Sequence, residues 1–300
     1  MGITHHETRA LVELYNEVGP LGRVITLGRQ EVFVQPNYSK TLLGTFRTPP
    51  TLSALRAACE SRYAEDFFRL LGATEVVSID YSDYQGAAIT HDMNSAVPTY
   101  LHRSFDLVYD GGTLEHIYNF PQAIQNCVDM LKCSGLYIGA TPANNWIGHG
   151  FYQFSPELFF RLFSPERGFR MERMLAFEYE PGGSRFEVQD PRKLGRRAEL
   201  PATRSQILLF VVARKLVEES SRDVPFPQQS DYSLEWQANR QNTGQNQSGK
   251  AKMRRRLVAY LEKSFPALLD AVRNVRRRLF VRKANRRGMC LDPQAFKKVP

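Results

Sequence analysis

The chain is short of several things, and each shortage excludes something. It has four cysteines, Cys59, Cys127, Cys133 and Cys290, without the paired spacing of a metal site or a disulfide framework. That argues against a small stapled fold and for a reduced, cytoplasmic setting. Cys127 falls on the apolar face of an expected helix and reads as core packing. Long apolar runs are missing too. The longest, Ile207–Ala213, falls well short of the ~20 residues that a membrane-spanning helix needs. The opening MGITHHETRALVEL has no apolar signal core, and His6 stands where an acylation pattern wants Ser or Thr. His5-His6 reads as an inert, disordered terminus. Glycine is scarce after the first expected strand, where the chain runs Thr26-Leu27-Gly28-Arg29-Gln30-Glu31. No G-x-G-x-x-G follows that strand, which sets aside a nicotinamide-dependent dehydrogenase.

Acidic residues are sparse at one end only. Residues 250–300 carry 16 Lys and Arg against three acids, a net charge of +13, while the other 249 residues carry 24 against 28, or −4, and together they give +9. The high isoelectric point therefore describes a tail. The tail also has a helical stripe: Leu257, Leu261, Phe265, Leu268, Leu269, Val272, Val275 and Leu279, with Pro266 as a kink. A basic amphipathic helix of this kind suits an anionic membrane surface or an acidic partner. Nucleic acid suits it less, because interleaved aromatics are few. Packing on the rest of the chain, with the arginines simply solvated, is the plain alternative. Residues 218–249 are polar and read as a linker. The expected division is thus a domain over 1–217, a linker over 218–249 and a helical tail over 250–300.

What is present in the first part is an α/β pattern, and the chain as a whole has 42% apolar and 11% aromatic residues to fill a core. Expected helices cover Thr8–Val18, about Ser53–Leu71, the stretch from Phe120 to Leu131, and Pro156–Phe163, the last with Ser155 as N-cap. Residues 31–51 read as irregular. Expected strands are Arg23–Leu27, Glu75–Ile79, Ala87–Thr90, Phe105–Tyr109, Leu136–Ala140, Met171–Tyr179 and Gln206–Arg214, with a loop over Pro181–Thr203. Phe105–Tyr109, the helix after it and Leu136–Ala140 make a βαβ unit, which implies a parallel sheet and a right-handed crossover. Ligands of such sheets sit beyond the carboxyl ends of the strands. Two segments qualify, Asp110-Gly111-Gly112-Thr113-Leu114-Glu115-His116 and Thr141 to Gln153, with the site expected between them.

Five βα-type strands followed by a final strand pair resemble the class I S-adenosylmethionine-dependent methyltransferases over roughly residues 20–215. The resemblance is carried by Asp80 at the end of the second strand, by Asp92 after the third, by FDLVYDGGTLEHI and by KCSGLYIGATP. HGFYQFSPE looks like a subset from bacterial glycan-type gene clusters. What the resemblance implies is a Rossmann-like α/β fold, a mostly parallel sheet with an antiparallel last strand, and S-adenosylmethionine as cofactor. It also implies that Gly28 and Arg29 meet the methionine end, Asp80 and Tyr81 the ribose, Asp92 and Met93 the adenine, and that Asp110, Gly111 and Gly112 line the pocket. A strand-end carboxylate can accept both ribose hydroxyls, though Asp80 also reads as a helix N-cap and Asp92 as a solvated turn residue. Gly111-Gly112 lets backbone approach a ligand closely, or simply makes a tight turn. The family's acidic-x-Gly-x-Gly-x-Gly loop is reduced here to one glycine. Arg29 is therefore expected to pair with the cofactor's carboxylate or to lie on the surface.

Methyl transfer needs alignment first and a base only for a hydroxyl acceptor. His149, Tyr152 and His116 are the catalytic candidates, and His149, Tyr152 and Gln153 are the acceptor contacts. The acceptor is expected to be a small molecule or glycan intermediate held near the inner face of a membrane. The rival reading is a catalytically inactive binding protein that acts through its basic tail.

Overall fold

The computed structural model describes residues 2–35, 37–180, 182–198, 205–217, 226–242, 275 and 294–300. Nine segments among the described residues form one sheet: β1 (Gly22–Leu27), β2 (Ala73–Asp80), β3 (Ile89–Thr90), β4 (Phe105–Asp110), β5 (Leu131–Asn144), β6 (Phe169–Glu178), β7 (Arg185–Val188), β8 (Ile207–Lys215) and β9 (Phe296–Val299). Their spatial order is β9-β7-β6-β8-β5-β4-β1-β2-β3. β1 to β5 pair in parallel, whereas β8 runs antiparallel to both β5 and β6 and is inserted between them. This is the expected Rossmann-like α/β sheet with its reversed last strand.

Helices α1 (His5–Val18), α2 (Tyr38–Leu43), α3 (Leu52–Glu60), α4 (Glu65–Leu70), α5 (Phe120–Met130) and α6 (Pro156–Leu162) accompany the sheet. Side chains alternate across the strands. Leu107 and Tyr109 of β4 face the core made with Leu11 of α1, Leu55 of α3 and Phe67 and Phe68 of α4. On β5, Tyr137 points the other way, and its ring lies 4.7 Å from that of Phe163, just past α6. With both faces covered, β8 reads as a nearly continuous apolar run.

The N-terminus departs from expectation. Thr4 and Glu7 form a capping box, which starts α1 at His5. His6 is buried against Phe177, so His5-His6 is structured rather than disordered. Arg185 of β7 then holds α1 through a bidentate pair with Glu13, at 2.8 and 2.6 Å. The expected single helix over Ser53–Leu71 is two helices. Between them the Arg62 carbonyl accepts the Val32 N–H, Ala64 N–H donates to the Gln30 carbonyl, and Tyr63 bridges Glu31. These long-range backbone bonds break a helix that the apolar spacing favours.

The described residues group into two units. The first comprises Met1–Val188, Ser205–Pro227 and Lys298–Pro300, and holds the sheet. The second comprises Gln189–Arg204 and Gln228–Lys297. In it, α7 (Pro191–Leu194) is capped by Asp190, and Arg197 pairs with Asp231 of α8 (Ser230–Asn242) at 2.6 Å. α8 is a helix inside the stretch read as linker. Much of the basic tail, with most of its expected stripe, lies outside the described residues. No helix among the described residues is long and apolar enough to cross a membrane.

Candidate functional site

Register puts the strand ends side by side. Leu27 of β1 pairs with Ile79 of β2 and with Asp110 of β4, and Asp110 pairs with Gly139 of β5. The turn after β1 takes a left-handed glycine at Gly28, φ +69°. A Cβ at Gly28 would stand 3.3 Å from Thr113 Oγ1 and 3.6 Å from both Asp80 Oδ2 and Gln30 Nε2. Gly28, Asp80, Thr113 and Gln30 therefore converge at the expected edge. Asp80 accepts the Tyr81 N–H through Oδ1 at 2.7 Å, and Tyr81 itself is exposed.

The chain replaces the missing glycines with two side chains sent in opposite directions. Arg29 swings away. Its Nε donates to Glu65 at 2.7 Å, its Nη1 donates to the Gln85 carbonyl at 2.9 Å, and its guanidinium lies 3.8 Å from the Tyr63 ring centroid. That guanidinium clamps α4 to the loop after β2. Gln30 turns inward. It is 3% exposed, donates Nε2 to the Leu27 carbonyl, and leaves Oε1 buried without a hydrogen-bond partner. A Cβ on Gly111 would run into that same Oε1. The bareness of Gly111 thus makes room for Gln30.

At the adenine position, Asp92 is exposed, and its Oδ1 accepts the Asn94 backbone and side-chain N–H groups at 2.9 and 2.7 Å. The backbone bond first, then the side-chain bond, holds its pKa below the ordinary value. Met93 is 5% exposed, with its carbonyl and sulfur against the Asn126 amide. Its side chain is packed inward rather than offered as a stacking face.

Beyond β4, Asp110 is fully buried and organises the turn. Its Oδ1 accepts the N–H groups of Thr113 and Leu114 at 2.7 and 3.3 Å, and Oδ2 lies 3.5 Å from the Tyr137 hydroxyl. Burial pushes its pKa up to about 6, against the pull of these N–H donors. Gly112, φ +89°, allows the bend. The two expected segments do meet here, because the Glu115 carbonyl accepts the N–H groups of Phe151 and Tyr152 at 2.7 and 3.3 Å. His149 Nε2 comes within 3.7 Å of Glu115 Oε1, and the rings of His116 and His149 lie 4.9 Å apart at 72°. Partial burial, then the neighbouring His149, lower the pKa of His116.

Two acceptor candidates have structural occupations. Tyr152 donates its hydroxyl to the Tyr118 carbonyl at 2.6 Å, and Gln153 Oε1 accepts the Trp146 N–H at 2.9 Å. Both atoms hold the loop. Residue-type reasoning missed Gln30, Thr113 and Glu115. Glu115 is 0% exposed with neither carboxylate oxygen hydrogen-bonded, and burial, with the Asp110 charge adding, pushes its pKa up to about 9. The LEH triplet marked its place without its burial. Tyr118, Ile147 and Phe151 are exposed on the same loops, and the rings of Tyr118 and Phe151 lie 5.9 Å apart.

No protein-family model matches the sequence, and no curated protein does. Among solved structures, the chain is similar to an S-adenosylmethionine dependent methyltransferase from Mesorhizobium loti, at 17% identity, 70% coverage of this chain and 96% of that one, TM-score 0.38. It is also similar to 1,6-didemethyltoxoflavin-N1-methyltransferase of Burkholderia thailandensis with bound 1,6-didemethyltoxoflavin and S-adenosylhomocysteine, at 14% identity, 71% and 78% coverage, TM-score 0.38. A third is the N-methyltransferase NodS of Bradyrhizobium japonicum, at 11% identity, 71% and 96% coverage, TM-score 0.38.

Proposed function

We propose that the chain is an S-adenosylmethionine-dependent methyltransferase acting on a hydroxyl of a sugar or glycan intermediate. One observation carries this: the Asp80 carboxylate ends β2 beside the left-handed Gly28 turn, at the carboxyl edge of a sheet with a reversed last strand. A carboxylate so placed suits bidentate acceptance from a ribose. When bound, the cofactor supplies an electrophilic methyl on a sulfonium. The chain's part is to hold cofactor and acceptor in line. The cofactor would be held by Asp80 and the Gly28 turn and would supply the methyl group, while the His116–His149 pair would take the proton of the acceptor hydroxyl. The lowered pKa of His116 keeps it a neutral acceptor of that proton near pH 7. The exposed aromatic pair of Tyr118 and Phe151 suits the less polar face of a sugar ring. The basic tail suits an acceptor kept at an anionic membrane surface.

The inactive binding-protein reading draws support from Gln30, whose amide fills the space beside Gly111, and from the clamped Arg29. Its partner would be an acidic protein or an anionic membrane engaged by residues 250–300. A thermal shift assay separates the two. At one hundred times its Kd, S-adenosylhomocysteine should stabilise an active fold by about 2.7 kcal/mol, a rise of several degrees. A folded chain that shows no shift contradicts the methyltransferase reading.

A further inference from the structure

We propose that Glu115, His116 and His149 bind one divalent metal ion of the Zn2+ or Mn2+ type, which takes the acceptor hydroxyl as a further ligand. The inference deepens the methyl-transfer reading and rests on it for the role of the ion. One ligand atom from each of the three residues lies within 4.8 Å of the other two, and the Glu115–His149 approach is 3.7 Å. Donors about 2.0–2.2 Å from a shared ion stand roughly 3–3.5 Å from one another, so closing on an ion asks for a shift on the order of 1 Å. His149 is built to make it, since it sits between Gly148 and Gly150, both with positive φ.

The independent observation is Glu115 itself. It is 0% exposed, and both carboxylate oxygens lack a hydrogen-bond partner. A buried carboxylate without donors is costly unless a cation compensates it. The fold nonetheless invests in the position. The backbone carbonyl of Glu115 anchors the His149 loop through Phe151 and Tyr152, and a Cβ at Gly150 would stand 2.8 Å from that carbonyl.

Two imidazoles and one carboxylate suit Zn2+, Mn2+ or Fe2+ better than Mg2+, and three protein ligands leave coordination positions open, as in catalytic rather than structural sites. An acceptor hydroxyl bound there loses its proton to solvent more readily. Its oxygen then bonds to the methyl carbon as the sulfur–carbon bond breaks, and the ion takes over the acidifying role otherwise given to the imidazoles. Neighbouring hydroxyls of a sugar ring can fill two open positions, which makes a vicinal diol the favoured acceptor class.

The test is calorimetric titration of the full chain, stripped with chelator, with Zn2+ and Mn2+, alongside titration with S-adenosylhomocysteine. One ion per chain is expected, with affinity reduced at least about tenfold in Glu115→Gln and in His149→Ala. His91→Ala, whose ring lies 3.3 Å from the Ser95 carbonyl, should leave the ion affinity unchanged. Co2+ should give ligand-field absorption bands that vanish in the same two variants. If Glu115→Gln does not fold, His149→Ala decides, since its side chain is 31% exposed. Absence of ion binding by the wild-type chain, or binding unaltered by loss of His149, overturns the proposal. Ion binding lost in the variants, with no S-adenosylhomocysteine binding by the wild type, upholds the metal site and sinks the methyl-transfer reading alone.

Discussion

Asp110 and Glu115 are both buried, but only one has the hydrogen bonds that make a buried charge tolerable. Backbone N–H groups of Thr113 and Leu114 point at Asp110, whereas the Glu115 oxygens meet no donor. In metal-free protein the proton of the pair therefore resides on Glu115. His6 is a simpler case. Its ring stacks on Phe177 at 5.2 Å with Nε2 3.0 Å from the Glu180 carbonyl, and burial lowers its pKa from 6.5. The stability it contributes is complete above 6.5 and is lost as pH falls through the lowered folded value. Its ring should titrate by NMR with a midpoint below 6.5, and protection of α1 amides should fall with that titration. A midpoint at or above 6.5 contradicts this. Residues at strand ends, such as Asp80 and Asp110, were legible in the sequence because apolar runs show where strands stop. Gln30 and Glu115 were not, because nothing local says that a polar side chain turns inward.

At the scale of elements, α5 is tied near its middle and at its carboxyl end to residues distant in sequence. Near its middle, Asn126 gathers the loop after β3 by donating to the carbonyls of Met93 and Ser95 at 3.1 and 2.8 Å and accepting the Val97 N–H at 3.1 Å. At its carboxyl end, buried Lys215 of β8 donates to the carbonyls of Val128 and Leu131 at 2.8 and 2.9 Å. A cation there suits both the helix dipole and carbonyls that lack helical partners. Lys215→Met should cost about 2–3 kcal/mol, read from the urea midpoint, whereas a loss under about 0.5 kcal/mol would mark the position as ordinary surface. Helix α5 and strands β4 and β8 were readable from periodicity alone. The break between α3 and α4 was not, since its cause is backbone pairing with residues 30–32, a tertiary effect that outweighs apolar spacing. The capping box that begins α1 was present as Thr4 and Glu7, a signal that the polar His5-His6 pair obscured.

For the whole molecule, alternation of strands and helices pointed to a parallel sheet with right-handed crossovers, whereas the reversed last strand was expected only from the resemblance carried by Asp80, Asp92 and the FDLVYDGGTLEHI run. Charge segregation also spans the whole chain. The basic excess sits in residues 250–300, while the sheet-bearing part is slightly acidic, so attraction to an anionic partner belongs to the tail. The central claim concerns the edge where Gly28, Asp80 and Thr113 converge. Titration calorimetry with S-adenosylhomocysteine on the wild type and on Asp80→Ala tests it most directly. The account predicts micromolar binding by the wild type and a loss of about 1.5–3 kcal/mol, roughly tenfold to more than a hundredfold, when the carboxylate is removed. Binding that survives Asp80→Ala at full strength, or a folded wild type that binds nothing, would contradict it.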